Sequence, residues 1–134
     1  MEERVLRLMR KGAMTCSEET SVREVAQIMV VNSTHYCVVI NQNREVMGII
    51  SSRSILKAFG RDLDHTKARD IVVPYTFTIT PITPLKEAIQ LMDKRKIEHL
   101  IVVSDRQGSK AILGLLHVED IVDRMAQEWN RQEP

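Results

Sequence analysis

Gly114-Leu115-Leu116-His117-Val118-Glu119-Asp120 is a junction between two hydrophobic patterns. Residues 111–116 form an apolar run with one glycine, as in a strand, whereas apolar residues recur at helical spacing from Val118 to Met125. A strand that runs directly into a helix points the N–H groups of the first turn at whatever lies above them, so the junction predicts an anion site. Asp120, near the third helical position, could also accept hydrogen bonds from vicinal hydroxyls such as those of a ribose.

The same junction occurs earlier in the chain, as Gly48 to Ser54, and belongs to an internal repeat. Residues 14–40 align with 77–103 at an offset of 63, and after a three-residue insertion Gly48 aligns with Gly114 at an offset of 66. Each copy shows the hydrophobic pattern of strand, helix, strand, strand, helix. The sequence therefore predicts two copies of about 50 to 60 residues each, which together form nearly the whole chain.

The helix starts and the domain boundaries follow from local signals. Ser21 or, alternatively, Thr20 caps the first long helix, and Thr83 caps its counterpart with Pro84 at the first helical position.

The predicted elements are a helix over 3–11, a strand over 13–16, a helix over 21–31, strands over 36–40 and 46–50, a helix over 52–59, a helical turn over 67–71, a helix from 84, strands over 99–104 and 111–116, and a helix over 118–129. The predicted division is an N-terminal helix (1–12), repeat 1 (13–60), a charged linker (61–72), repeat 2 (73–129) and a disordered tail (130–134).

The fold class predicted from these elements is mixed α+β. One copy has too few strands and helices to bury its own sheet. We therefore expect two βαββα repeats packed sheet to sheet around a pseudo-twofold axis, with the helices outside. In that arrangement the two junctions lie in clefts between the repeats, a common place for small-molecule sites.

Composition and motifs exclude several classes of function. The chain of 134 residues has a net charge of +1 and 4% aromatic residues, which gives no case for a nucleic acid or an anionic membrane as partner. Its apolar runs are too short to span a bilayer, and its first residues lack the pattern of a signal peptide. Cys16 and Cys37 are expected to be buried free thiols in a reducing cytoplasm. Neither metal-ligand spacing nor a catalytic motif is present, so we expect no metal site, no catalytic residues and no enzyme activity.

The paired copies, the order of their elements and the junction pattern of glycine, Ser/Thr and Asp resemble a tandem pair of CBS domains. The resemblance covers residues 5 to 128. It implies a regulatory module that binds adenine nucleotides or related adenosyl ligands in two clefts, and that associates through its helices into dimers. The family motif places a Ser/Thr hydroxyl near phosphate and an Asp on the ribose hydroxyls.

Each junction carries half of that motif. Ser51 fills the hydroxyl position of the first cleft, but Ser54 stands where the Asp is expected. Asp120 fills the acid position of the second cleft, but His117 stands where the hydroxyl is expected. The resemblance adds base-pocket residues from the strands, which are Thr15, Tyr36 and Ile49 in the first cleft and Thr78, His99 and Leu115 in the second.

Structural roles compete with these ligand roles. Asp120 could only complement the helix dipole, Ser51 could only cap its helix, and His117 could be either a cap or a phosphate donor. We expect a non-catalytic regulatory pair that binds AMP or ADP, in the Asp120 cleft first, with ATP, S-adenosylmethionine or NAD as other candidate ligands and no required cofactor. The alternative is a ligand-free module for dimerisation or for an unidentified protein target.

Overall fold

A computed structural model describes residues 3–74 and 77–132, without the side chains of residues 128–132. A single 3-10 turn, Val5–Arg7, precedes the first strand. The strands and helices, in chain order, are β1 (Arg10–Lys11), β2 (Thr15–Ser17), α1 (Val22–Val31), β3 (Tyr36–Ile40), β4 (Val46–Ser51), α2 (Ser52–Lys57), α3 (Ala68–Ile71), β5 (Val73–Pro74), β6 (Thr78–Ile79), α4 (Leu85–Arg95), β7 (His99–Val103), β8 (Ile112–His117) and α5 (Val118–Gln132).

The chain divides into two compact units of mixed α+β structure, which confirms the predicted fold class. The repeat-1 unit contains residues 13–74, and the repeat-2 unit contains residues 3–12 together with 77–132. Each holds a four-stranded sheet, in the order β2-β3-β4-β5 or β1-β8-β7-β6. Each sheet therefore has one edge strand more than the predicted βαββα repeat.

The core of the repeat-1 unit lies between α1 and one face of its sheet. Val25 and Met29 on α1 pack in one cluster with Cys16, Cys37 and Ile50 from the strands. Both cysteines are buried free thiols. Ser21, and not the alternative Thr20, caps α1, because its side chain accepts a hydrogen bond from the backbone N–H of Glu24.

The start of α4 differs from the prediction. Pro84 is the N-cap residue, and no side-chain hydrogen bond caps the helix. The hydroxyl of Thr83 instead accepts a hydrogen bond from the backbone N–H of Thr80 at 3.1 Å. The equivalent residues of the other repeat make the same bond, from the N–H of Ser17 to Thr20. The hydroxyl at this position therefore shapes the turn before the helix and is not the cap; α1 is capped by Ser21, and α4 has no side-chain cap.

The helix predicted over 3–11, within the N-terminal element 1–12, is wrong. Only one 3-10 turn forms, because the backbone of this segment bonds to the repeat-2 unit. The N–H of Val5 donates to the carbonyl of Thr83 at 2.9 Å, and the N–H of Leu85 donates to that of Glu3 at 2.8 Å. Strand β1 then pairs with β8. Hydrogen bonds to distant parts of the chain thus replace those that a local helix would make.

The predicted linker plays the matching role in the repeat-1 unit. Its helical turn exists as α3, where the N–H of Ala68 donates to the carbonyl of Thr20 at 2.7 Å. Strand β5 then pairs with β4. The boundary at residue 73 was therefore wrong, since Val73–Pro74 completes the first sheet. The repeat-1 unit thus contains the segment that precedes repeat 2 in sequence. The repeat-2 unit contains the segment that precedes repeat 1.

The C-terminal tail predicted over 130–134 also differs. Helix α5 continues to Gln132, so most of this tail is helical. Residues 133 and 134 lie outside the described residues.

Candidate functional site

The junction of the repeat-2 unit is closed by a hydrogen-bonded pair. The backbone N–H of His117 donates to Oδ2 of Asp120 at 3.1 Å, and Nδ1 of His117 accepts from the N–H of Glu119 at 3.1 Å. The bond to Asp120 is that of a capping box, whereas the imidazole accepts from the second helical residue, Glu119, and not from the third. The predicted cap role of His117 is therefore confirmed.

The cap fixes the tautomer of His117. Because Nδ1 accepts a hydrogen bond, the proton of the neutral ring is assigned to Nε2. The ring is buried, with 8% of its surface exposed. Nε2 in this form is a hydrogen-bond donor and offers no lone pair to a metal ion.

Asp120 also contacts a residue far away in sequence. Its Oδ1 lies 3.1 Å from Nε of Arg10, on β1. The Asp120 side chain is 15% exposed, and that of Arg10 is 59% exposed. Each carboxylate oxygen has two lone pairs, so the bonds to His117 and Arg10 leave acceptor capacity on both oxygens.

The junction of the repeat-1 unit contains a full capping box made of two serines. The N–H of Ser54 donates to Oγ of Ser51 at 3.3 Å, and the N–H of Ser51 donates to Oγ of Ser54 at 3.2 Å. Ser54 is buried. The serine at the acid position thus completes the cap, but it offers no charge to a ribose.

The two junction glycines are required by the edge strands. A Cβ on Gly114 would overlap the backbone carbonyl oxygen of Arg10, and a Cβ on Gly48 would overlap that of Val73. A glycine at each position therefore leaves room for the edge strand, β1 beside β8 and β5 beside β4.

The strand residues predicted for the first cleft share one face of their sheet. Thr15 and Ile49 are both register partners of Val38, and Tyr36 is the partner of Ser51. Because directly opposed residues lie on the same side and alternate residues repeat that side, these side chains form one surface. Ser54 follows on α2.

The second cleft has the equivalent surface. Thr78 and Leu115 are both partners of Ile101, and His99 is the partner of His117. Burial lowers the pKa of His99, and the neighbouring His117 lowers it further, whereas Glu98 opposes the shift. His99 is therefore neutral at physiological pH.

A polar cleft of about 340 Å³ lies within the repeat-2 unit, and its lining includes Asp120. Arg7, Asp123 and Arg124 also line it, with Glu3. Nε of Arg124 donates to Oε1 of Glu3 at 2.9 Å, whereas no described residue pairs with the side chains of Arg7 and Asp123. Of the five residues predicted for the second cleft, Asp120 is the one in this lining.

Sequence reasoning missed the arginines of the N-terminal segment. Arg10 is separated from Asp120 by 110 residues, so no local pattern connects them. The available sequence signal is the repeat itself. Arg10 aligns with Val73 at the offset of 63, which marks the two segments as equivalent.

The repeat-1 unit carries an apolar groove of about 370 Å³ between α1 and α2, lined in part by Met29, Val30 and Ile55. Val31 and Phe59 add exposed apolar surface, at 80% and 89% exposure. Within the described ranges 3–74 and 77–132, the structure shows neither a cluster of three metal-binding side chains nor a helix long and apolar enough to cross a membrane.

Comparison with known proteins gives a family match over most of the chain. The model of the CBS domain matches twice, at residues 5–61 and 68–127. The solved structure of the CBS domain pair of protein MJ0100 in complex with 5′-methylthioadenosine and S-adenosyl-L-methionine is similar in fold, with a TM-score of 0.81 and 21% identity over 96% of this chain and 99% of that one.

Curated relatives are longer than this chain. The CBS domain-containing protein CBSX3, mitochondrial, of Arabidopsis thaliana is 28% identical over 87% of this chain and 58% of its own length. A homoserine O-acetyltransferase of Methanocorpusculum labreanum is 30% identical over 85% of this chain and 22% of its own length. Across the first five relatives, the chain spans 22% to 62% of their length.

Proposed function

The chain belongs to the CBS domain family, and we propose that it is a non-catalytic regulatory module that binds an adenine nucleotide, with AMP or ADP preferred, at the Asp120 cleft. The observation that carries this proposal is the Asp120 carboxylate, which lines a polar cleft and keeps acceptor lone pairs beside its two structural bonds. A ribose diol donates two hydrogen bonds, which a carboxylate accepts well.

The charges around Asp120 favour a ligand that carries phosphate. Arg7 and Arg124 line the same cleft, and Arg10 borders it through Asp120. His117, His99, Thr78 and Leu115 share a sheet face outside the lining of this cleft, and we propose that this face contacts the rest of the ligand. The MJ0100 pair, in complex with methylthioadenosine and S-adenosylmethionine, supports the adenosyl class for this chain, with ATP and NAD as further candidates.

The first cleft is the weaker candidate. Ser51 and Ser54 satisfy each other, and no carboxylate stands at the acid position. A base could contact Thr15 and Tyr36, which share a sheet face with the buried Ile49, but binding there would lack the ribose clamp.

A second candidate function is a ligand-free module for dimerisation or protein interaction. Two self-sufficient helix caps and the exposed apolar residues on α1 and α2 favour it. Association of two copies through these helices is compatible with either function. The match to one fifth of an acetyltransferase supports a role in regulating an enzyme or another protein target. The buried thiols of Cys16 and Cys37 fit a reducing compartment such as the cytoplasm.

Calorimetric titration with AMP, ADP, ATP, S-adenosylmethionine and NAD tests the proposal. We expect AMP or ADP to bind in the micromolar range and Asp120→Asn to weaken that binding at least about tenfold, the effect of losing one charged hydrogen-bond partner. The amide of Asn can still accept from the N–H of His117, so the helix cap survives. Asp105→Asn, in the exposed turn between β7 and β8, is the matched control. Absence of binding below the millimolar range would favour the ligand-free module.

A further inference from the structure

We propose that Arg10 sets the charge specificity of the Asp120 cleft, so that adenosyl ligands with a phosphate group bind in preference to cationic ones. This inference rests on the proposed nucleotide-binding function. It assigns a ligand role to a residue of the N-terminal segment, outside both family junctions.

The structure holds the Arg10 guanidinium at one end and leaves the other end exposed. Its backbone is fixed, since Arg10 pairs with Leu115 and its carbonyl oxygen lies over Gly114. Its Nε donates to Asp120 at 3.1 Å. Among the side chains that the structure describes, none bonds to the Nη1 and Nη2 groups. The Arg10 side chain is 59% exposed, so these two nitrogens can reach a ligand beside the carboxylate proposed to hold the ribose.

Such a group is well suited to a phosphate. The two terminal nitrogens of a guanidinium can donate a pair of parallel hydrogen bonds to phosphate oxygens. Arg10 also offsets the negative charge of Asp120, which would otherwise repel an anionic ligand. For a cationic sulfonium ligand, the same neutralisation removes the attraction that the negative charge of Asp120 would provide. One residue therefore shifts the preference in both directions.

The other repeat provides an internal comparison. Arg10 aligns with Val73, and Asp120 aligns with Ser54, so the cation and the acid are both absent from the repeat-1 unit. Strand β5 nevertheless pairs with β4 around Val73 as β1 pairs with β8 around Arg10. Arginine is therefore not needed for the edge strand to form. In this chain, the arginine occurs in the unit that also has the acid, Asp120.

The rival explanation is a structural ion pair that only attaches β1 to α5. An ion pair with one partner so exposed contributes little to stability. A structural role would weaken the binding of every adenosyl ligand alike when Arg10 is removed, because the whole cleft would loosen. A specificity role changes binding according to ligand charge.

The test is calorimetric titration of the wild-type protein and of Arg10→Ala with AMP, 5′-methylthioadenosine and S-adenosylmethionine, which are anionic, neutral and cationic. We expect Arg10→Ala to weaken the binding of AMP at least about tenfold and to leave the affinity for methylthioadenosine within about twofold of the wild-type value. The affinity for S-adenosylmethionine should increase. Rising salt should weaken AMP binding more in the wild type than in the variant. Arg106→Ala, in the exposed turn of the same unit, removes an equal charge as control, and circular dichroism checks folding.

The outcomes separate the two proposals. If the wild type binds none of the three ligands, the proposed function and this inference both fail. If it binds them and Arg10→Ala changes all three affinities equally or leaves AMP unchanged, the inference fails and the proposed function stands.

Discussion

The backbone N–H of His117 donates to Oδ2 of Asp120 at 3.1 Å, so the acid proposed to hold a ribose also closes the first turn of α5. The equivalent residues Ser51 and Ser54 close α2 in the same way. The two junctions that look incomplete as ligand motifs are both complete as helix caps. Local stability and ligand binding therefore depend on the same side chain at Asp120, and mutations there must be interpreted for both.

Asp120→Ala is expected to destabilise the protein by about 1 to 2 kcal/mol, because the cap of α5 and the ion pair with Arg10 are lost together. Asp120→Asn should cost less, since its amide oxygen can still accept from His117. Urea denaturation at pH 7 measures both values, with Asp105→Ala as an exposed control expected within about 0.5 kcal/mol of the wild type. Equal stability of Asp120→Ala and the wild type would contradict the capping role.

The stability of the fold should fall as the pH drops through about 6.5, the ordinary pKa of histidine. Burial and His117 lower the pKa of His99 in the folded protein, so the unfolded chain binds the proton first as the solution is acidified. The stability contribution is therefore complete above the unfolded pKa and declines below it. His99→Gln should flatten the dependence between pH 7 and 5, whereas His35→Gln, on an exposed residue, should leave it unchanged. A steep dependence that survives in His99→Gln would assign the effect to another group.

Gly114→Ala should displace strand β1, at a cost of about 1 to 3 kcal/mol, because the added methyl group overlaps the carbonyl oxygen of Arg10. Hydrogen exchange gives the specific readout. The N–H of Gly12, which donates to the carbonyl of Leu113 at 3.0 Å, should exchange faster. In the control Gly108→Ala, the methyl group meets no atom within 4 Å and the strain from the positive φ of 79° is confined to its own turn, so exchange at Gly12 should not change. Unchanged protection in Gly114→Ala would show that β1 tolerates the methyl group.

Phe59→Glu should abolish self-association if two copies meet through α1, α2 and the turn after α2 that carries Phe59. Phe59 is 89% exposed, and its burial in an interface would remove a large apolar surface from water. Light scattering at two concentrations should show a dimer for the wild type and a monomer for the variant. Ile82→Glu, at an exposed apolar residue outside the helices, is the control and should remain dimeric. A monomeric wild type would remove the helix-mediated dimer from the proposal.

The repeat and the main elements could be predicted from sequence because they depend on local periodicity. The bounds of β3 agree with the prediction, and α1 and β4 differ by one residue at one end. The N-terminal segment could not be predicted in this way. Its apolar residues Val5, Leu6 and Met9 fit a helix, but its backbone groups bond to partners such as Thr83, far along the chain. Local pattern gives no information on such pairings.

The site was predictable in part. The junction pattern correctly singled out Asp120 and Ser51 as residues at the starts of α5 and α2. It left the role of His117 open between a cap and a phosphate donor, and it did not reveal that Ser54 completes the cap of α2. It also could not bring Arg10 to Asp120, since that contact depends on the pairing of β1 with β8.

The exchange of segments between the units also bears on biosynthesis. The repeat-1 unit is continuous in sequence, so it can begin to fold as soon as its residues leave the ribosome. The repeat-2 unit must wait, because β1 is synthesised before the whole of the repeat-1 unit and its partner β8 is synthesised after it. During that interval β1 has no partner strand, and closing so long a loop slows folding. Pulsed hydrogen exchange during refolding should therefore protect the amides of β3 and β4 before those of β1.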